Sequence, residues 1–180
     1  MKKPRVGISR CLLGDPVRHD GGHKRNLLLL DTLGPRVEWV PVCPEVEIGM
    51  GTPREPIHLV AEDDAANVGD RIRLIGVESR RDWTSMMTDW SRSRIQELEA
   101  LGLSGYVFKA DSPSCGLEHV PVLEGSTTSY TGRGLFAREL VEAFPDLPIE
   151  DERRLSNADV LSSFIERVLA YHRLSAKLNL

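Results

Sequence analysis

The sequence lacks the features that mark several large classes of protein. Its 180 residues contain no apolar run that approaches the roughly 18 residues needed to span a membrane. The amino terminus lacks the long apolar stretch and small-residue cleavage site of a secretory signal peptide. Basic residues are not in excess, since the formal net charge is -4, whereas proteins that coat nucleic acid are usually basic. We therefore expect a cytoplasmic protein with no membrane partner and without nucleic acid as its main partner.

Cysteine is scarce, and it lacks the paired spacing of common metal motifs. The three cysteines are Cys11, Cys43 and Cys115; they form no CxxC pair and match no zinc or ferredoxin pattern. An odd number cannot all pair within one chain, and disulfides are rare in a reducing compartment, so free thiols or metal ligands are expected. Spacing alone equally allows three buried cysteines that act as small hydrophobic residues.

Repeats and low-complexity tracts are also missing, and the length favours one domain over residues 1–180. Short β-rich segments alternate with amphipathic ones, which predicts an α/β fold. The expected architecture is a mostly parallel sheet flanked by helices, a Rossmann-like arrangement of three layers. The predicted strands are 5–13, 37–42, 71–77 and 103–110, and the predicted helices are 25–33, 82–101, 135–144 and 157–174.

The cysteines fall at the ends of predicted strands. Cys11 ends the first strand, Cys43 directly follows the second, and Cys115 follows the 103–110 strand after a short loop. If these strands are parallel neighbours, all three thiols come from loops at the carboxyl edge of one sheet, where open α/β sheets bind ligands. Each cysteine also lies near glycine or proline, in loops whose backbone N–H groups can bond sulfur.

Conspicuous motifs surround the three cysteines. They are 9–14 (SRCLLG) with 18–21 (RHDG), 41–45 (PVCPE) and 109–116 (KADSPSCG). Together they resemble the motifs of the thiouracil desulfidase (TudS) family. The stretches 22–25, 45–49 and 132–136 are similar to one branch of that family, the 4-thiouridine monophosphate desulfidases, in which this domain is fused to a helical second domain. We expect the desulfidase-type domain here without that second domain.

The resemblance implies that Cys11, Cys43 and Cys115 each bind one iron of a [4Fe-4S] cluster. Three thiolates leave the fourth iron open, as in a catalytic zinc site with a free position. A thione sulfur is a soft donor that suits this iron, which would polarise the C=S bond for attack by water. The implied reaction converts C=S and water to C=O and hydrogen sulfide, without net electron transfer.

A carboxylate beside the cluster could manage the protons of this reaction. Glu45 is the first candidate, because it lies two residues from Cys43; a helix N-terminal or surface charge is the alternative. Ser112 and Ser114 could orient water or substrate, or could cap a turn. Asp111 is a further acid–base candidate.

Two glycine-and-basic runs are candidates for a phosphate site, if the substrate is a nucleotide. The first contains His23, Lys24 and Arg25 at a predicted helix start, and the second contains Arg133. Arg18 is a further candidate contact. Runs of this kind are also common in solvated loops.

The leading hypothesis is a cluster-dependent desulfidase that acts on a small thiolated base or nucleotide, either 4-thiouracil or 4-thiouridine monophosphate. The alternative is a non-catalytic metal- or nucleotide-binding module that regulates an attached domain. A third class, a binding protein for thiolated tRNA, is disfavoured by the negative charge. The sequence leaves the oligomeric state open.

Overall fold

The strands of the protein form two four-stranded sheets, as a computed structural model of residues 2–62 and 71–178 describes them. In chain order the strands are β1 (Arg5–Ser9), β2 (Glu38–Val42), β3 (Ile57–Ala61), β4 (Ile72–Gly76), β5 (Leu103–Phe108), β6 (Val120–Glu124), β7 (Thr127–Gly132) and β8 (Ile149–Asp151). The helices are α1 (Leu27–Thr32), α2 (Pro44–Glu47), α3 (Thr84–Leu101), α4 (Leu135–Ala143) and α5 (Ala158–Leu178).

The first sheet, sheet A, has the order β2-β1-β5-β8, and each neighbouring pair is parallel. Ser9 lies opposite Val42, and Ile8 lies opposite Val107. Strands β2, β1 and β5 therefore end at nearly the same level. This shared edge carries the loops that follow all three strands.

Helices cover both faces of sheet A. On β5, Tyr106 and Phe108 pack in a buried cluster with residues of α3 and α4, such as Phe136. Val107 points the other way and packs with α5 through Phe164 and Val168. This alternation follows from the two-residue repeat of a strand. The predicted α/β class, with a parallel sheet between helical layers, is confirmed.

The second sheet, sheet B, has the order β4-β3-β6-β7 and mixes parallel with antiparallel pairs. The predicted strand 71–77 exists as β4, but it pairs with β3 in sheet B and not in the parallel sheet. Four strands were absent from the sequence prediction. They are β3, β6, β7 and β8, of which β7 is largely polar and β8 has only three residues.

Several predicted element ends differ from those in the structure. The first strand stops at Ser9, and Arg10–Leu13 forms a 3₁₀ turn that ends at Gly14 in the left-handed conformation. Helix α3 begins at Thr84, whose N–H donates to Asp82 Oδ1 at 2.8 Å, so Asp82 precedes the capping position. None of the described helices is both long enough and apolar enough to cross a lipid bilayer.

Candidate active site

The edge of sheet A brings the three cysteines to one cavity. Cys11 lies in the 3₁₀ turn after β1, Cys43 lies between β2 and α2, and Cys115 lies in the loop after β5. All three line a cavity of about 530 Å³. None of them is in a disulfide bond. The predicted parallel neighbours are thus observed, and the cavity lies at their carboxyl ends.

The three thiols are buried beside a negative charge. Burial raises the pKa of Cys11 to about 11 and the pKa of Cys43 to about 12, and it raises the pKa of Cys115 well above the usual range. The nearby carboxylate of Glu45 is the next cause in each case, because it disfavours a thiolate. The metal-free protein therefore holds protonated thiols, which would release protons on binding a metal.

The donor set of the cavity suits an iron–sulfur cluster, because it contains three cysteines. Across residues 2–62 and 71–178, no three His, Cys, Asp or Glu side chains are grouped closely enough to hold one metal ion. An iron–sulfur cluster is wider than one ion, and its usual ligands are cysteine sulfurs that reach it from different sides. Three thiols on three neighbouring loops meet that requirement.

Glu45 is buried in the short helix α2 and lies between groups from three other positions. Its Oε1 accepts a hydrogen bond from Ser114 Oγ at 2.8 Å. Its Oε2 lies 3.5 Å from Cys43 Sγ and 3.9 Å from Arg54 Nη2. The carboxylate thus contacts one cysteine directly and adjoins the loop that carries another, Cys115.

Sequence reasoning missed Arg54, which also lines the cavity. Its side chain is only 8% exposed. Nη1 donates to the carbonyl oxygens of Val17 and Gly51, both at 2.9 Å. The segment around Arg54 has no motif, and its bonds to the Val17 and His19 carbonyl oxygens arise only when the loops after β1 and α2 meet.

The loop before Cys115 is held by its own hydroxyl groups. Ser112 Oγ accepts hydrogen bonds from the N–H groups of Ser114 at 3.2 Å and Cys115 at 3.1 Å. Ser112 therefore caps the turn, and it also lines the cavity. Ser114 is fully buried and donates to Glu45 instead.

The start of helix α4 forms hydrogen bonds to the same loop. The N–H groups of Leu135 and Ala137 donate to the carbonyl oxygens of Pro113 and Ser114, both at 3.1 Å. A Cβ atom on Gly134 would lie 2.4 Å from the carbonyl carbon of Ser114, so only glycine allows this approach. Two N–H groups in the first turn of α4 are therefore already bonded to carbonyl oxygens of this loop.

The remaining acid–base candidate, Asp111, sits at the mouth of the cavity. It lines the cavity, but its side chain is about half exposed and forms an ion pair with Arg153. Lys109 also lines the cavity, and its ammonium group pairs with Glu152. Sequence reasoning did not select Lys109, although it lies within one of the three motifs.

The basic candidates separate into two groups. Arg18 and Lys24 line the cavity. His23 and Arg25 are absent from its lining; the Arg25 N–H donates to His23 Nδ1 at 3.2 Å. Arg133 lies at a separate cavity, and its Nε donates to the Leu117 carbonyl oxygen at 2.8 Å. The structure thus brings only two of the five basic candidates to the cysteines.

One wall of the cavity comes from sheet B, where His58 on β3 faces it. In the described part of the chain, Nε2 of His58 is buried with no hydrogen-bond partner. Burial lowers the pKa of this imidazole, with the charge of Arg80 as a second cause. Sequence analysis assigned His58 no role, because its surroundings depend on a sheet that was not predicted.

The fold and cavity together define an α/β protein with a thiol-lined cavity at the edge of a parallel sheet. The model of the 2-thiouracil desulfurase family matches residues 6–152, and the chain belongs to this family. The resemblance seen in the cysteine motifs is thereby confirmed.

Two known proteins illustrate the similarity. The uncharacterized protein YbbK of Bacillus subtilis is 25% identical over 136 residues, which cover 76% of this chain and 89% of YbbK. A solved structure of the [4Fe-4S]-dependent thiouracil desulfidase TudS is 27% identical, with a TM-score of 0.63. That match covers 89% of this chain and 99% of the TudS chain.

Proposed function

We propose that this protein is a [4Fe-4S]-dependent desulfidase that converts a thiolated pyrimidine to its oxo form and releases hydrogen sulfide. The observation that carries the proposal is the convergence of Cys11, Cys43 and Cys115 in one cavity beside the buried carboxylate of Glu45. Membership of the 2-thiouracil desulfurase family supports the reaction, and the similarity to a [4Fe-4S]-dependent enzyme supports the cofactor.

The three cysteines would hold the cluster through their sulfur atoms. When bound, a cluster with only three protein ligands supplies an iron that accepts a soft thione sulfur and polarises its C=S bond. Burial raises the pKa of Cys43 and Cys115, but the Val46 N–H acts to lower the pKa of Cys43 and the Ser9 hydroxyl acts to lower that of Cys115. Donors of this kind stabilise the negative charge that a ligating sulfur carries.

Glu45 has the contacts expected of the general base. It can take a proton from the water that attacks the ring carbon, and it can return that proton to the ring or to the departing sulfur. Ser114 fixes one carboxylate oxygen at 2.8 Å. Overall, the C=S group and water are converted to C=O and hydrogen sulfide, so no oxidant or reductant is required.

The substrate is a small base or its nucleotide. A cavity of about 530 Å³ is within the usual range for small-molecule sites. Arg18 and Lys24 give one part of its lining a positive charge that suits a phosphate group. The Lys24 N–H donates to the Cys11 carbonyl oxygen at 2.9 Å, which ties this basic segment to the cysteine turn. We propose 4-thiouridine monophosphate as the preferred form.

The test is anaerobic reconstitution with iron and sulfide, followed by a sulfide-release assay. We expect about four irons per chain and sulfide release from both 4-thiouracil and 4-thiouridine monophosphate, faster from the nucleotide. A fully loaded protein that binds these compounds without releasing sulfide would favour the regulatory module instead. A protein that takes up no iron would contradict the proposed cofactor.

A further inference from the structure

Arg54 contacts the proposed general base at the oxygen that Ser114 leaves unoccupied. Ser114 bonds Oε1 of Glu45, whereas Nη2 of Arg54 lies 3.9 Å from Oε2. Both side chains are largely buried, at 8% exposure for Arg54 and 12% for Glu45. A buried carboxylate without a partner is strongly disfavoured, so this cation is the group that offsets its charge.

The guanidinium group of Arg54 is held in place by the backbone. Nη1 donates to the carbonyl oxygens of Val17 and Gly51, and the Arg54 N–H donates to the His19 carbonyl oxygen at 2.9 Å. The planar fork of arginine then directs its second terminal nitrogen at a fixed angle. A lysine carries its three N–H donors on one nitrogen, so it could not place separate nitrogens at the carbonyl oxygens and at the carboxylate.

Cys43, the other neighbour of Oε2, would lose its hydrogen bond to this oxygen if its sulfur bound iron. In the metal-free protein the Cys43 thiol can donate to Oε2 at 3.5 Å. A sulfur that ligates iron carries no proton and cannot donate this bond. Oε2 would then rely on Arg54.

We propose that Arg54 is a positioning residue that holds Oε2 of Glu45, while Ser114 holds Oε1, so that the carboxylate keeps one orientation in the cavity. The proposal rests on the function proposed above. Arg54 acts through Glu45 and is not assigned contact with the reacting atoms. Its removal should therefore lower kcat and leave the three iron ligands and the substrate contacts in place.

The experiment compares Arg54→Met with wild type after anaerobic reconstitution, with Arg92→Met as the matched control. The side chain of Arg92 is exposed and forms an ion pair with Glu139, and neither residue lines the cavity. We expect Arg54→Met to keep its iron and its KM within about twofold and to lose about tenfold to a hundredfold in kcat. The control should match wild type in all three quantities.

A double variant tests whether Arg54 acts through Glu45. If it does, Arg54→Met should add little to the loss already caused by Glu45→Gln. An equal further loss in the Glu45→Gln background would overturn the proposal, and so would wild-type kcat in Arg54→Met. If Arg54→Met does not fold, Arg54→Lys is measured in its place. Retained iron with a lowered kcat in Arg54→Lys would support positioning. Loss of iron in Arg54→Lys as well would mean that the arginine is only structural.

A crystal structure of iron-loaded Arg54→Met gives a readout that needs no activity. We expect Oε2 of Glu45 to leave the position that it has in the wild type, 3.9 Å from Nη2 of Arg54, while Oε1 can keep its contact with Ser114. A carboxylate that stays in place would overturn the inference even if the enzyme is a desulfidase. Conversely, a moved carboxylate in a protein whose wild type releases no sulfide would support positioning and refute the proposed reaction.

Discussion

The inner wall of the cavity and its rim are built in different ways. The inner wall includes Cys11, Cys43, Cys115 and Glu45, all of them buried, and the buried Ser114 supports it through a bond to Glu45. Its contacts join distant parts of the chain, as between Glu45 and Ser114, which are 69 residues apart. These residues depend on the parallel strands of sheet A being in register.

The rim, formed by Arg18, Lys24 and Asp111, is held mainly by short turns and exposed pairs. The Gly21 N–H donates to the Arg18 carbonyl oxygen at 2.9 Å, and the Arg18 guanidinium lies 3.7 Å from Asp20. Lys24 and Asp111 have less local ties, to the Cys11 carbonyl oxygen and to Arg153. These rim side chains can differ between proteins without disturbing sheet A, so we expect the inner wall to carry the proposed chemistry and the rim to select the substrate.

The strongest test of the inner wall removes one thiol at a time. In Cys11→Ala, Cys43→Ala and Cys115→Ala we expect loss of most bound iron and of sulfide release, because each thiol is a proposed ligand. Iron analysis and the sulfide assay measure the two effects. Ser91→Ala, at a buried residue of α3 that bonds the Met87 carbonyl oxygen, is the control. Intact iron and activity in any cysteine variant would remove that residue from the ligand set.

The next test separates the carboxylate from the cluster. Glu45→Gln should keep its iron and lose about a hundredfold or more in kcat, since an amide cannot act as a base. The control is Glu47→Gln in the same helix, whose carboxylate bonds the Cys43 N–H and pairs with Arg94. Full activity in Glu45→Gln would mean that another group moves the proton.

A smaller and more selective effect is expected at the rim. Arg18→Gln and Lys24→Gln should raise KM for 4-thiouridine monophosphate by about tenfold, because a charge-assisted bond to phosphate is lost. KM for 4-thiouracil should stay unchanged. Arg133→Gln, at the separate cavity, is the control. Equal changes for base and nucleotide, or a wild type that does not distinguish them, would refute the phosphate site.

The smallest effect concerns the pH dependence of the metal-free protein. Burial raises the pKa of Cys11 to about 11 in the folded state, whereas the pKa of a thiol in the unfolded chain is about 8.5. The folded state therefore retains the proton longer, and this contribution to stability is complete below the unfolded pKa and declines as the pH rises toward the folded value.

Urea unfolding between about pH 7 and pH 10 would measure this decline. We expect the free energy of unfolding to fall more steeply above about pH 8.5 in the metal-free wild type than in a variant with alanine at all three cysteines. Parallel curves for the two proteins would show that the buried thiols do not carry the effect.

Three of the four strands of sheet A, namely β1, β2 and β5, could be predicted from the sequence, because they are rich in apolar residues. Strand β5 is buried at every position, as its sequence suggests. Of the four strands of sheet B, the sequence predicted β4 alone. Strand β7 is mostly exposed and rich in threonine and serine. Strands of this kind are defined by their partners more than by their own residues.

The candidate site divides along similar lines. The cysteines and Glu45 could be found because each stands next to a strand end within a compact motif. Arg54 and His58 carry no local signal, since their importance comes from contacts made across the cavity. The split between Lys24, which lines the cavity, and His23 and Arg25, which are absent from its lining, depends on the path of one short turn.

The contacts of the Cys115 loop involve residues that are translated after Cys115 itself. The loop packs against Gly134 and accepts a hydrogen bond from the Ala137 N–H. Ala110, just after strand β5, donates its N–H to Glu152 at 2.7 Å. A ribosome releases Cys11 and Cys43 long before these supports exist. Because a chain emerges from its amino terminus, Cys115, the third proposed ligand, can be fixed only after the residues up to Glu152 have been made. We therefore expect the proposed cluster to be loaded after these residues have been translated.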